Sequence, residues 1–316
     1  MKDMSFAHAH SSTASAAPVP RRPSGSVAAP GDGAAGQPQA WRLDAAGATD
    51  RGTVRPSNQD CFEVVSDVGL LIVADGMGGH AAGDVASQMA TTTVLECLRE
   101  CGEGQKPTER EAWPFGHDPA ASDTANRLRT AFQVAHLRLL EASVLNPELR
   151  GMGTTLVVAQ RHGDRLIVAW AGDSRLYVAD DHGCRLVTRD DTWLESVLDE
   201  HPHASPEDIA VLRQHPLRHA LTNVVGSAGR TDVHIVDLPL TAGMVVALTT
   251  DGVHGALADD EIGRVLDEEP LPARAAAELV AAAMDAGSTD NCTAVVGRFT
   301  PLPPTGGGSD ADRFRL

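Results

Sequence analysis

Four stretches of this chain bring an aspartate to the end of, or into, a run of β-branched and apolar residues. They are Leu70 to Gly76, Val168 to Arg175, Val245 to Gly252 and Asp290 to Val296. Short apolar runs bounded by turn residues read as buried strands. With such strands side by side in one sheet core, Asp75, Asp173, Asp251 and Asp290 converge at a single rim. Crowded carboxylates repel, and hard divalent cations with oxygen ligands relieve the repulsion. The pattern therefore asks for a sheet-rich core and for an oxygen-ligand metal site assembled from distant segments.

Composition narrows the partners. With 316 residues, 42% of them hydrophobic, the chain can bury one large core or two small ones. A formal net charge of -17 argues against a nucleic-acid backbone or an anionic membrane as partner, because like charges repel. The cysteines Cys61, Cys97, Cys101, Cys184 and Cys292 are odd in number and lack CxxC spacing, which fits a reduced, cytoplasmic compartment. Arg21-Arg22 resembles a twin-arginine signal only in those two residues, since Pro23-Ser24-Gly25-Ser26 follows where an apolar stretch is needed. No apolar run approaches the roughly 20 residues that span a bilayer, so a soluble chain is expected.

Residues 1–40 are rich in Ala, Pro, Ser and Gly without apolar periodicity, and are expected to form a disordered arm. Residues 300–316, with Pro303-Pro304 and Gly306-Gly307-Gly308, have the same character and are expected to be a flexible tail. One folded domain is expected over 41–299. Within it, strand-like runs fall at 43–50, 61–66, 69–75, 154–161, 164–171, 174–180, 233–238, 243–250 and 291–299. Helical patterns cover 84–100, 123–144 and 273–284. Strands in consecutive runs, interrupted by paired helices, predict an α+β arrangement of packed sheets with helices outside. A polar helical excursion at 191–216 interrupts two acid-bearing strands and reads equally as a substrate-facing flap or a surface helix hairpin.

Ahead of the strand-like run at 61–66, Thr49-Asp50-Arg51-Gly52-Thr53-Val54-Arg55-Pro56-Ser57-Asn58-Gln59-Asp60 combines a glycine turn, an arginine and an acid. Arginine can grip a phosphate through two parallel hydrogen bonds. Taken alone, Arg55 fits a solvated surface charge better, and each Asp-Gly pair fits an ordinary turn. Their joint order is more specific. Arg55 to Asp60, Asp75-Gly76-Met77-Gly78-Gly79-His80, Gly153-Thr154-Thr155, Gly172-Asp173-Ser174-Arg175, Leu221-Thr222 with Gly226, Thr250-Asp251-Gly252 and Asp290-Asn291-Cys292-Thr293 resemble, in order and spacing, the metal-dependent protein phosphatases of type 2C, in their bacterial branch.

The resemblance spans nearly all of 46–299 and implies a four-layer α-β-β-α sandwich of two antiparallel sheets flanked by helices, with a small helical flap. It implies two Mn2+ or Mg2+ ions, with room for a third. By analogy Asp75 bridges the two metals, the Gly76 carbonyl ligates one, and Asp251 and Asp290 complete the protein ligands. Asp173 with Asp251 matches the position of the third. Asp60 and Asn291 are expected to orient waters around the metals, and Arg55 to hold the phosphate oxygens. Two divalent ions lower the pKa of a bridging water, so hydroxide can attack phosphorus in line without a covalent enzyme intermediate.

Two positions depart from the family's pattern. Met77 stands where many eukaryotic members carry a histidine proposed as general acid, and His80 is the nearest imidazole in sequence; a water on the third metal is the alternative. Gln59 replaces a glutamate. His201, His203, His215 and His219 lack metal-ligand spacing and are assigned to surface or packing roles. The expected function is hydrolysis of phosphoserine and phosphothreonine in proteins, opposing a bacterial serine/threonine kinase, by a monomer. A relative acting on phosphorylated anti-sigma antagonists is the nearest rival. A docking module that had kept only the fold would be expected to lose at least one of the four aspartates.

Overall fold

Along Leu70 to Ala74 the side chains alternate between two different cores. Leu70, Ile72 and Ala74 pack with helical residues such as Ala86, Leu128 and Phe132. Leu71 and Val73 pack with Leu176, Val246, Leu248 and Val295 from a second sheet. Val245, Ala247, Ala294 and Val296 then face a third cluster that includes Ile262, Val265 and Leu279. Both faces of both sheets are thus covered, which explains why these antiparallel strands read as continuous apolar runs instead of alternating ones.

The computed structural model describes residues 39–79, 82–100 and 113–303. The chain divides between Gln37 and Pro38 into two units, and the described residues all belong to the second. One antiparallel sheet has the order β1 (Trp41–Asp50), β11 (Cys292–Pro301), β10 (Val245–Thr249), β7 (Arg175–Asp180), β8 (Gly183–Leu186). The other runs β2 (Asp60–Val65), β3 (Leu70–Met77), β5 (Leu156–His162), β6 (Arg165–Ala171), β9 (His234–Pro239), with β4 (Gly153–Thr154) on the end of β3. Helices α1 (Ala82–Glu100) and α2 (Asp123–Leu145) cover the second sheet. The short α5 (Asp251–His254), α6 (Asp259–Glu268) and α7 (Pro272–Asp285) cover the first. This is the four-layer α-β-β-α sandwich that the resemblance implies.

Several details differ from the sequence reading. In α1 the fully buried stripe runs through Ala82, Ala86, Ala90 and Val94, with Val85, Met89 and Leu95 only half-buried, because small side chains let the helix lie close to β3. Strand β8 and helix α6 are additional: β8 is a short edge strand, and in α6 the acids around Ile262, Val265 and Leu266 mask three buried anchors. Strand β11 continues to Pro301, paired with Trp41, past the expected end of the domain at 299.

The excursion after β8 forms α3 (Trp193–Glu200) and α4 (Pro206–Leu212). Thr192 caps α3 by accepting from the Glu195 amide, and Ser205 with Asp208 forms a capping box on α4. Trp193 stacks on His215 with ring centroids 4.3 Å apart. The neck closes on an isolated bridge between Thr192 and Leu221, beyond the expected limit at 216.

Candidate metal centre

The acid-bearing strand ends do meet. Asp75, Asp173, Asp251 and Asp290 line one cavity of about 200 Å³, together with Arg55 and the backbone at Gly76. A larger hollow of about 850 Å³ beside the β7–β8 hairpin and α6 contains none of them.

Asp75 is held by its backbone. Its amide donates to Thr155 Oγ1 at 3.0 Å, and its carbonyl accepts from the Thr155 amide at 2.9 Å and from Thr154 Oγ1 at 2.8 Å. Thr155 Oγ1 in turn lies 2.7 Å from Ser174 Oγ, beside Asp173. The Gly153-Thr154-Thr155 segment therefore clamps the strand end that carries Asp75, leaving its carboxylate to the cavity. Gly76 is required by close approach: a Cβ there would sit 1.9 Å from the Gly83 carbonyl oxygen.

Asp60 lies opposite Asp75 in the β2–β3 register. Its Oδ2 accepts from Thr250 Oγ1 at 2.9 Å and Thr293 Oγ1 at 2.7 Å, tying the two sheets together next to Asp251. Its Oδ1 and the Asp251 Oδ1 are buried without any hydrogen-bond partner. Burial raises the pKa of Asp60 to about 7, with Asp251 and Asp290 adding repulsion. Burial likewise raises Asp173 to about 7, with Asp251 the next contributor. Asp75 is raised by burial and then by Asp60 and Asp251, and Asp251 by burial and then by Asp290.

Four acids whose charged forms are disfavoured, Asp60, Asp75, Asp173 and Asp251, two orphaned carboxylate oxygens and a side-chain-free approach at Gly76 are a donor set suited to hard divalent cations such as Mn2+ or Mg2+. Among the described residues no three His, Cys, Asp or Glu side chains are already drawn to ligating distance. The carboxyl groups of Asp75 and Asp251 share a hydrogen bond, as two crowded acids do when one keeps its proton.

Arg55 pairs with Asp290 at the cavity edge, with about half of its side chain exposed. Arg175, from the Gly-Asp-Ser-Arg segment, makes a bidentate pair with Asp190 at 2.9 and 2.8 Å and so holds the entry to the flap. Asp191 then clasps the neck: its carboxylate accepts from the Gly172 amide, Asn223 Nδ2 and His234 Nε2 at 2.9, 2.7 and 2.8 Å. His80 lies outside the described residues.

His219 and Leu221, on the returning limb of the flap, line the cavity; Leu221 belongs to a quoted motif, whereas His219 was not singled out as a site residue. His219, expected in a surface or packing role, is exposed and also borders this cavity. Nothing local marks it, because it reaches the cavity only through the closure of the neck at Thr192 and Leu221.

Comparison with known proteins agrees with this geometry. A sequence model of the family described as protein phosphatase 2C matches residues 53–289. The serine/threonine phosphatase stp of Listeria monocytogenes is 30% identical over 251 residues, which cover 78% of this chain and 92% of that protein. The crystal structure of the Mycobacterium tuberculosis serine/threonine phosphatase PstP/Ppp superposes with a TM-score of 0.68 at 29% identity, covering 81% of this chain and 98% of that one. The catalytic domain of PstP in complex with two manganese ions superposes with a TM-score of 0.67 at 28% identity, over 83% of this chain and 100% of that one. The chain belongs to the protein phosphatase 2C family, the metal-dependent serine/threonine protein phosphatases.

Proposed function

We propose that this phosphatase acts as a cytoplasmic monomer on phosphoserine and phosphothreonine in proteins, reversing a bacterial serine/threonine kinase that is itself among its substrates. The observation that carries the reading is the meeting of Asp75, Asp173, Asp251 and Asp290 with Arg55 in one cavity. No helix among the described residues is long and apolar enough to cross a membrane.

In this reading Asp75, the Gly76 carbonyl, Asp251 and Asp290 would hold two divalent cations, and Asp173 with Asp251 would hold a third. When bound, such ions neutralise the phosphoryl oxygens and make a water acidic enough to attack phosphorus at neutral pH. Arg55 grips two phosphate oxygens and so orients the phosphorus for in-line attack. Asp60, fixed by Thr250 and Thr293, keeps an unpartnered Oδ1 that would accept a hydrogen bond from a water held beside Asp75 and Asp251. His80 donates a proton to the departing serine or threonine oxygen. The flap limb with His219 and Leu221 forms the wall against which the peptide lies.

Phosphate release from a phosphothreonine peptide, measured in parallel with Mn2+, Mg2+ and excess chelator, tests the reading. Release should require the metal and disappear in Asp251→Asn. A folded protein that releases no phosphate under any metal would overturn it.

A further inference from the structure

Arg55 sits in the loop between β1 and β2, and Val54, Arg55 and Pro56 are all exposed. An arginine at the tip of such a loop is a poor clamp unless something fixes the loop, because ordering a long side chain on a mobile backbone costs binding free energy. The fastener comes from far along the chain. Asn291, immediately before β11, is buried to 4% exposure, and its amide faces the loop. Its Nδ2 donates to the carbonyls of Arg51 and Ser57 at 2.7 and 3.0 Å, and its Oδ1 accepts from the Gln59 amide at 2.8 Å.

Both donors and one acceptor position of the Asn291 amide are therefore spent on main chain on either side of Arg55. Neither Nδ2 hydrogen is left for a water in the cavity, which Asn291 also lines. The loop is also pressed onto the neighbouring residue. Gly52 has φ +77, and a Cβ there would lie 2.5 Å from the Asp290 carbonyl oxygen. The residue after Asp290 thus grips the loop that carries Arg55, while the Asp290 carboxylate pairs with the Arg55 guanidinium.

We propose that Asn291 is a positioning residue for phosphate recognition: by bonding the main chain at Arg51, Ser57 and Gln59 it sets the Arg55 guanidinium in register with the Asp290 side of the cavity. The proposal rests on the reading of Arg55 as the phosphate grip. Asn291 touches neither phosphate nor metal in this role and acts through Arg55 alone.

The test is a double-mutant cycle on Arg55→Ala and Asn291→Ala at saturating Mn2+. It reads KM and kcat for a phosphothreonine peptide, the inhibition constant of inorganic phosphate, and the thermal midpoint. Asn291→Ala should raise KM and the phosphate inhibition constant by about tenfold, the scale of one or two lost hydrogen bonds. In the Arg55→Ala background it should raise neither further, because its route to the phosphate is already gone. A purely structural role would lower the thermal midpoint and the apparent kcat while leaving KM and phosphate inhibition unchanged. That result overturns the proposal, as does a full effect of Asn291→Ala in the absence of Arg55. If Arg55→Ala itself leaves both constants at their starting values, the grip reading fails first and the proposal falls with it. Should Asn291→Ala not fold, Asn291→Ser keeps one hydrogen-bonding group, and a smaller shift of both constants in the same direction is expected; no shift again overturns the proposal.

Discussion

Asp60 and Asp75 stand directly opposite each other at the end of the β2–β3 ladder, carboxylate against carboxylate. Like charges in directly opposed positions destabilise a sheet, and burial here deepens the penalty. The fold accepts it at the point where Thr250 and Thr293 bring the other sheet's acid-bearing ends against Asp60.

The first prediction concerns pH and metal together. Burial pushes Asp60 and Asp173 up to about 7 from an ordinary value of 3.8. An acid with a raised folded pKa binds its proton more tightly in the folded state, so stability is lost as pH rises from the ordinary value through about 7. In chelator, the contribution of the cavity should make the protein more stable at pH 5 than at pH 8. Mn2+ should raise the thermal midpoint at pH 8 far more than at pH 5. Thermal unfolding at both pH values, with chelator and with Mn2+, checks this; an equal effect of Mn2+ at the two would refute it.

At the flap neck the pH dependence has the same sign for a different reason, a hydrogen-bonded partner instead of burial. The hydrogen bond to Asp191 raises the His234 pKa above its ordinary 6.5, so the pair's contribution is complete below that value and lost as pH rises through the raised one. His234→Gln should destabilise the protein by about 0.5 kcal/mol at pH 5.5, a figure reduced for a pair open to solvent, and by less at pH 8.5. Denaturant titrations of both proteins at the two pH values measure the difference.

Gly76→Ala should cost about 2 to 3 kcal/mol or prevent folding, since its Cβ would meet the Gly83 carbonyl oxygen at 1.9 Å. Chemical denaturation reads the loss. Gly79→Ala, with open space around its Cβ, is the control that should stay near the starting stability.

Because His219 lines the cavity from the flap, His219→Ala should lower kcat/KM for a phosphopeptide by about threefold to tenfold and leave a small aryl phosphate nearly unaffected. Parallel kinetics on the two substrates decide the point. Equal losses on both would assign His219 to the chemistry at phosphorus instead of the peptide wall.

The strands, the two long helices and the acids at the strand ends were legible because each is written in a few neighbouring residues. Val245 to Thr249 announces a buried strand by its own composition, and Asp251 stands two positions after it. Helix α6 was hidden for the corresponding reason: its buried Ile262, Val265 and Leu266 are outnumbered locally by acids. The partners of Arg175 were not legible either. Its pairing with Asp190, instead of with a substrate, depends on how the β7–β8 hairpin returns.

By itself the sequence determined the layer composition and the chemical inventory, because periodicity and residue type are local properties and every acid of the cavity is carried by its own motif. Only the tertiary structure decided which of those groups face one another. Asn291 meets the Gln59 amide across 232 positions, and Asp60 meets Thr293 across 233. Such partners are chosen by strand register and loop closure, which follow from burying both faces of two sheets at once, and no window of neighbouring residues records that outcome.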